Sequence, residues 1–186
     1  MSDNRFDEEL QIIAAAKRGE AKAQKKIYER YASTMMSVCY RYVSDTETAK
    51  DLLQDGFIKL FTKIDTYSGI GSFGGWARRV FVTTCLEYLR HKDALKLSST
   101  IDDYEHSLPE MESSVMEKIS ADDLLKLISE LAEGYRTVFN LFAIEGYTHA
   151  EIAVMLGVSE VTSRTQFMRA RKLLQKSVLQ LEQNGK

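Results

Sequence analysis

Thr148–Lys176 reads THAEIAVMLGVSEVTSRTQFMRARKLLQK, and its punctuation sets out two helices joined at Leu156-Gly157-Val158. Thr148, with Glu151 three residues on, is a T-x-x-E capping box that satisfies donors a helix start leaves unpaired. Ile152, Ala153 and Leu156 then recur at helical spacing. Gly157 stops the helix, because glycine takes the left-handed cap conformation without penalty. Ser159 is placed to cap the second helix, which runs into Arg169, Arg171, Lys172 and Lys176. A short helix, a glycine turn and a longer basic helix make a helix-turn-helix, whose second helix enters the DNA major groove.

A glycine-capped helical hairpin is also an ordinary packing corner, and charge separates the two readings. Ser159–Lys176 holds five cations against Glu160 alone. At 3.6 residues per turn, Ser163, Phe167, Ala170, Leu174 and Leu181 share a face that should be buried. Val161, Thr165, Met168 and Lys172 point away from it, flanked by Thr162, Arg164 and Arg169, with Ser159 at the start. An outward face mixing small, apolar and cationic groups suits base edges and phosphates together.

With 186 residues there is room for one medium or two small domains. The net charge of −2 hides segregation. Ser98–Asp123 carries eight acids against Lys118, whereas Phe73–Lys96 has five bases against Glu87 and Asp93. Local fields of this kind matter to partners more than the total does. Cys39 and Cys85 lie in helical apolar patterns and read as small core residues, which fits a reducing cytoplasm. His91, His106 and His149 are scattered, so neither a metal nor another cofactor is expected. No apolar run approaches the ~20 residues of a membrane span, and no signal peptide is visible. Enzyme chemistry finds no support: there is no Ser/His/Asp spacing, and Gly69-Ile70-Gly71 lacks the strand-to-helix context of a nucleotide site.

Along the chain, Met1–Arg5 reads as a polar tail, followed by a helix from about Asp7 to Arg18 with Leu10, Ile13 and Ala14 inward. Gly19 ends it. Glu20–Val43 is a longer helix stepping through Ala23, Ile27, Tyr31, Met35, Val38 and Tyr42. Ser44-Asp45-Thr46 is a stop and a start, Glu47–Ile64 a third helix, Asp65–Phe73 a glycine loop, and Gly74–His91 a fourth helix. From Asp93 to about Ser113 the pattern dissolves around the only proline, Pro109. Helices resume near Ser114, and another spans Gly134–Ile144. The fold class is all-α: two small helical domains, 1–94 and 119–186, joined by a flexible acidic linker at 95–118.

Three further stretches carry a family resemblance: Asp51-Leu52-Leu53-Gln54-Asp55-Gly56-Phe57-Ile58-Lys59-Leu60-Phe61, Phe73-Gly74-Gly75-Trp76-Ala77-Arg78-Arg79 and Leu86-Glu87-Tyr88-Leu89-Arg90. Together they resemble the second conserved region of bacterial RNA polymerase sigma factors. Glu133–Leu141 and the helix-turn-helix ending Arg169-Ala170-Arg171 resemble the fourth region. Two such domains joined directly are similar to the extracytoplasmic-function (ECF) subgroup.

The resemblance implies an alternative sigma factor that binds core RNA polymerase and directs promoter-specific initiation. A helix-turn-helix regulator binding duplex operator without polymerase is the alternative, and it leaves Asp51–Arg90 unexplained. Implied partners are the largest-subunit clamp and the flap of core polymerase, promoter DNA, and, with no residue here to identify it, an anti-sigma factor. By the same resemblance Asp51, Leu53, Gln54, Asp55, Phe57 and Leu60 dock on polymerase. Tyr67, Phe73, Trp76, Arg78, Arg79, Thr83 and Arg90 meet the minus-10 element, where capture of unstacked bases calls for stacking surfaces and cations; a core place for Trp76 and a loop-anchor role for Phe73 are the alternatives. Ser159, Val161, Thr162, Arg164, Thr165, Met168, Arg169 and Lys172 meet the minus-35 element. Departures from the family pattern are Thr83 in place of a common Asn, Ala132 in place of Pro, and Gln166 in place of a basic residue, the last leaving one fewer charge for phosphate. The acidic linker resembles one that threads toward the polymerase cleft.

Overall fold

The structure, a computed structural model, describes residues 3–91 and 120–184. The linker assigned to 95–118, and the helical restart near Ser114, lie outside the described residues. Among those described there are helices and turns and no strand. The chain divides into two compact units, Met1–Tyr88 and Leu89–Lys186.

In the first unit α1 (Asp3–Lys17) begins inside the stretch expected to be a tail. Its inward face also differs from expectation. Ile13 and Ala16 are buried, while Leu10 and Ala14 are exposed. The inward stripe thus continues one turn on from Ile13 through its i+3 neighbour. Helix α2 (Ala21–Val43) buries Ala23, Ile27, Met35, Val38, Cys39 and Tyr42, with Tyr31 half-buried. Tyr31 donates its hydroxyl to Glu9 at 2.6 Å, tying α2 to α1; burial and then Glu9 push its pKa up. Ser44 ends α2 at φ 57°, and Asp45 caps α3 (Thr46–Lys63) by accepting from the Thr48 amide at 2.8 Å. A 3-10 turn, Ile64–Thr66, leads through a loop into α4 (Phe73–His91). Where α3 meets α4, Gly56 leaves room for the buried Phe81 ring, which stands edge-on to Phe57 at 5.1 Å.

The second unit opens with α5 (Ala121–Glu130), capped by Ser120, whose hydroxyl accepts from the Asp123 amide. Helix α6 (Glu133–Phe139) passes into a π turn, Asn140–Ile144, where the Glu145 amide donates to the Asn140 carbonyl. The Gly134–Ile144 helix of the sequence pattern is thus present but wound more loosely in its second half. Buried Arg136 joins α5 to α6: its Nη1 donates to the Ser129 and Leu131 carbonyls, both at 3.0 Å. Those oxygens belong to the end of α5, where helix carbonyls lack an internal partner and attract a cation. Burial holds the guanidinium pKa below its usual value, against the opposing pull of Glu133.

Helices α7 (His149–Leu156) and α8 (Glu160–Asn184) complete the unit. Leu127 and Ile128 of α5, with Leu131 just past its end, pack with Ala170, Leu174 and Val178 of α8. Leu181, expected on that inward face, is exposed; Val178 fills the last buried place, four residues beyond Leu174. Burying such a seam at ~25 cal/mol per Å² is what holds a unit this small together.

Candidate nucleic-acid interface

The helix-turn-helix forms as its caps dictate. The Glu151 amide donates to Thr148 Oγ1 at 3.2 Å, and the Thr148 amide to Glu151 Oε2 at 2.8 Å, completing the capping box. Gly157 ends α7 at φ 68°, with the Val158 amide donating to the Ala153 carbonyl. Ser159 Oγ then accepts from the Thr162 amide at 3.0 Å, which starts α8.

Inward packing decides which way α8 faces. Phe167 lies 4.5 Å from Phe142 and 5.9 Å from Phe139 between ring centres. His149 stacks parallel on Phe142 at 4.2 Å, and its Nδ1 shares a 2.9 Å hydrogen bond with Oγ of buried Ser163. Burial first, then the Arg164 charge, holds the His149 pKa below its ordinary value, with Glu160 opposing. This cluster turns Val161 (72% exposed) and Met168 (61% exposed) to solvent. Arg164 and Thr165 are exposed beside them, and Thr162, Arg169 and Lys172 are half-buried along the flanks. Arg164 is paired with Glu160 one turn back, an exposed ion pair worth at most about 1 kcal/mol and readily exchanged for a phosphate. Gln166 is buried, so that position packs inward, and the idea that it costs the helix a phosphate contact is corrected.

In the first unit Asp51, Gln54 and Asp55 are exposed on α3, and Leu53 is half-buried. Phe57 and Leu60 are buried in the unit's own core, so they hold the helix rather than offer a surface. Ile58, 64% exposed, stands one turn beyond Gln54 and Asp55. The same i, i+3, i+4 spacing that groups the acids would have included it.

At the loop, Tyr67 and Phe73 are buried, their rings 5.2 Å apart and edge-on. They anchor the loop: this is the second of the two roles open to Phe73, and for Tyr67 it corrects the placement as an open stacking surface. Trp76 leans on both, at 5.6 and 5.4 Å, and is itself only half-buried. Along α4 Arg79, Thr83 and Arg90 are exposed and Arg78 is half-buried. Thr83 donates its hydroxyl to the Arg79 carbonyl at 2.9 Å, leaving its oxygen lone pairs as acceptors. Between α3 and α4 lies an open groove of about 240 Å³, lined by Lys59, Lys63, Trp76, Arg79, Thr83 and Glu87 among others. Lys59 pairs with Glu87 across it. Sequence reasoning misses Lys59 and Lys63, since it assigns only a docking role to the residues it singles out on their helix. An aromatic wall with cations is the make-up of a single-strand binding surface. Among the described residues no group of three or more His, Cys, Asp or Glu is placed to hold a metal ion.

Comparison with known proteins is consistent along the chain. Residues 27–94 match the family profile of sigma-70 region 2, and residues 121–174 that of sigma-70 region 4, together 122 of the 186 residues. The RNA polymerase sigma-H factor of Pseudomonas aeruginosa is 25% identical over 183 residues, covering 92% of this chain and 94% of that one. The ECF RNA polymerase sigma-E factor of Escherichia coli K12 is 26% identical over 188 residues, covering 96% and 97%. Among solved structures, the sigma factor RpoE of Bartonella quintana, crystallised with the anti-sigma factor NepR, shares the fold at a TM-score of 0.50 and 18% identity, covering 84% of this chain and 96% of that one.

Proposed function

Because the chain belongs to the sigma-70 family, in its ECF branch, we propose that its two units divide the reading of one promoter between them. The protein is an alternative sigma factor, a dissociable subunit of RNA polymerase that directs transcription initiation, and not an enzyme. In this division the domain assigned from sequence to 119–186 reads the minus-35 duplex through the outward face of α8. The domain assigned to 1–94 docks on core polymerase and opens the minus-10 segment.

The observation that carries the reading is α8 itself. Val161 and Met168 are exposed on a helix that holds five cations against Glu160 alone up to Lys176, while Ser163, Ala170 and Leu174 are buried. Large apolar side chains left in solvent beside Arg164 have a use where thymine methyls and phosphates lie together. For the first unit, the exposed Asp51, Gln54, Asp55 and Ile58 are the docking edge, and Trp76, Arg79, Thr83 and Arg90 face the minus-10 strand, with Lys59 and Lys63 added on the groove side. An acidic linker at 95–118 would keep the units on one tether.

Its partners, core polymerase and chromosomal DNA, place the protein's work in the cytoplasm; no described helix is long and apolar enough to cross a membrane. The anti-sigma factor bound to the Bartonella relative is the ground for adding an inhibitor of that class as a third partner. The test is transcription in vitro with purified core polymerase on a genomic library. Starts at a defined set of promoters support the assignment. Binding to duplex DNA without polymerase, and no transcript, would make the chain a lone regulator.

A further inference from the structure

The loop between the 3-10 turn and α4 leads straight into the helix whose Trp76 and Arg79 are set against the minus-10 strand, yet its composition favours disorder. Residues 68–72 are all exposed, Gly69 and Gly71 take φ of 81° and 75°, and Ile70 at the tip is 86% exposed. Glycines give such a segment many conformations to lose.

Tyr67 braces it from below. Its ring is buried against Phe73 and Trp76, and its hydroxyl donates to the Gly71 carbonyl at 2.8 Å, closing the loop into a ring. From the last residue of α1, 50 positions earlier, Lys17 Nζ donates to the Tyr67 carbonyl at 2.7 Å and lies 5.9 Å from the centre of the Tyr67 ring. Tyr67 is therefore held at its ring, its hydroxyl and its carbonyl. A lysine ending a helix ordinarily complements that helix's own carbonyls. Lys17 is instead half-buried and committed to a carbonyl of another element.

We infer that Lys17 is a positioning residue for promoter opening, fixing Tyr67 and through it the shape in which the loop meets the unstacked strand. A loop ordered when the protein folds need not be ordered again when it captures a base, so more of the contact energy is left for strand separation. The role assigned to Lys17 rests on the loop's acting at the minus-10 element.

The experiment uses holoenzymes reconstituted with wild type, Lys17→Met, Lys17→Arg and Ile70→Asp on one promoter. Opening is followed by permanganate reactivity of unpaired thymines, with core affinity and hydrogen exchange of the loop amides measured alongside. Lys17→Met should keep core affinity, speed exchange in the loop and slow opening about fivefold, the net worth of one ordinary hydrogen bond. Lys17→Arg should restore opening, since a guanidinium can donate to the same carbonyl. Opening at the wild-type rate in Lys17→Met refutes the role. So does a loss of opening that tracks a loss of core affinity and is not rescued by arginine, which would be a structural effect only. Normal opening by Ile70→Asp would remove the loop from minus-10 melting altogether. Failure of Ile70→Asp beside wild-type opening by Lys17→Met would overturn the Lys17 role alone.

Discussion

Alanine in place of glycine inside a helix is ordinarily a gain of about 1 kcal/mol. At Gly56 the sign should reverse. A Cβ there would stand 2.2, 2.5 and 2.8 Å from Cε1, Cδ1 and Cζ of Phe81. The obstacle is a rigid ring rather than the end of a flexible chain, fully buried and already edge-on to Phe57. Either the ring leaves its rotamer or α3 lifts off α4, and overpacking of this kind costs about 1–3 kcal/mol, here toward the upper end. Set against the propensity gain, Gly56→Ala should destabilise the first unit by about 2 kcal/mol. For a unit of this size that is a fall in midpoint of about 8–16 °C. Trp76 is the only tryptophan in the chain and lies in the first unit, so its fluorescence follows that unit's melting without interference from the second. Phe81→Leu makes room for the added methyl, so the double variant should lose less than the two single losses combined. A midpoint raised by Gly56→Ala would refute the close approach of α3 to α4 and the geometry of the groove beside it.

Three other outcomes are expected. Arg136→Met strips two charge-assisted hydrogen bonds from the end of α5 and should cost the second unit about 2 kcal/mol or more, read by circular dichroism while the Trp76 transition stays put; an unchanged second transition would count against the cap. His149 has a folded pKa below its unfolded value of about 6.5, so above that pH neither state is protonated and its contribution is intact. As pH falls from about 6.5 toward the lower folded value, the unfolded chain takes up the proton first and stability is lost. The wild type should therefore lose more stability than His149→Gln over that interval, and parallel curves would show that the imidazole is not linked to folding. Ile58→Asp should weaken binding to core polymerase about tenfold, the value of a largely exposed aliphatic side chain becoming buried, without moving the Trp76 transition; undiminished co-purification with core would remove Ile58 from the docking edge.

What was legible in the sequence is what local chemistry decides. The Thr148–Glu151 box, the Gly157 stop, the Ser159 cap and the Asp45 cap each depend on a few neighbouring residues, and all form. The inward face of α8 was legible through Leu174 and failed at Leu181. Periodicity gives the direction of a side chain, not the point at which a partner helix ends. Tyr67 failed, and Phe73 stayed undecided, for a different reason. An aromatic residue has the same make-up whether it stacks on a base or fills a core, and only the buried side of α4 distinguishes them. Lys59 and Lys63 stayed invisible because their neighbours are Trp76, Arg79 and Glu87, on a helix that begins ten residues after α3 ends. Gly56 is the residue that permits that meeting, since any larger side chain there would strike Phe81. It sits inside the Asp51–Phe61 stretch that carried the resemblance, so one motif both presents an acidic edge on one face of α3 and admits α4 against another.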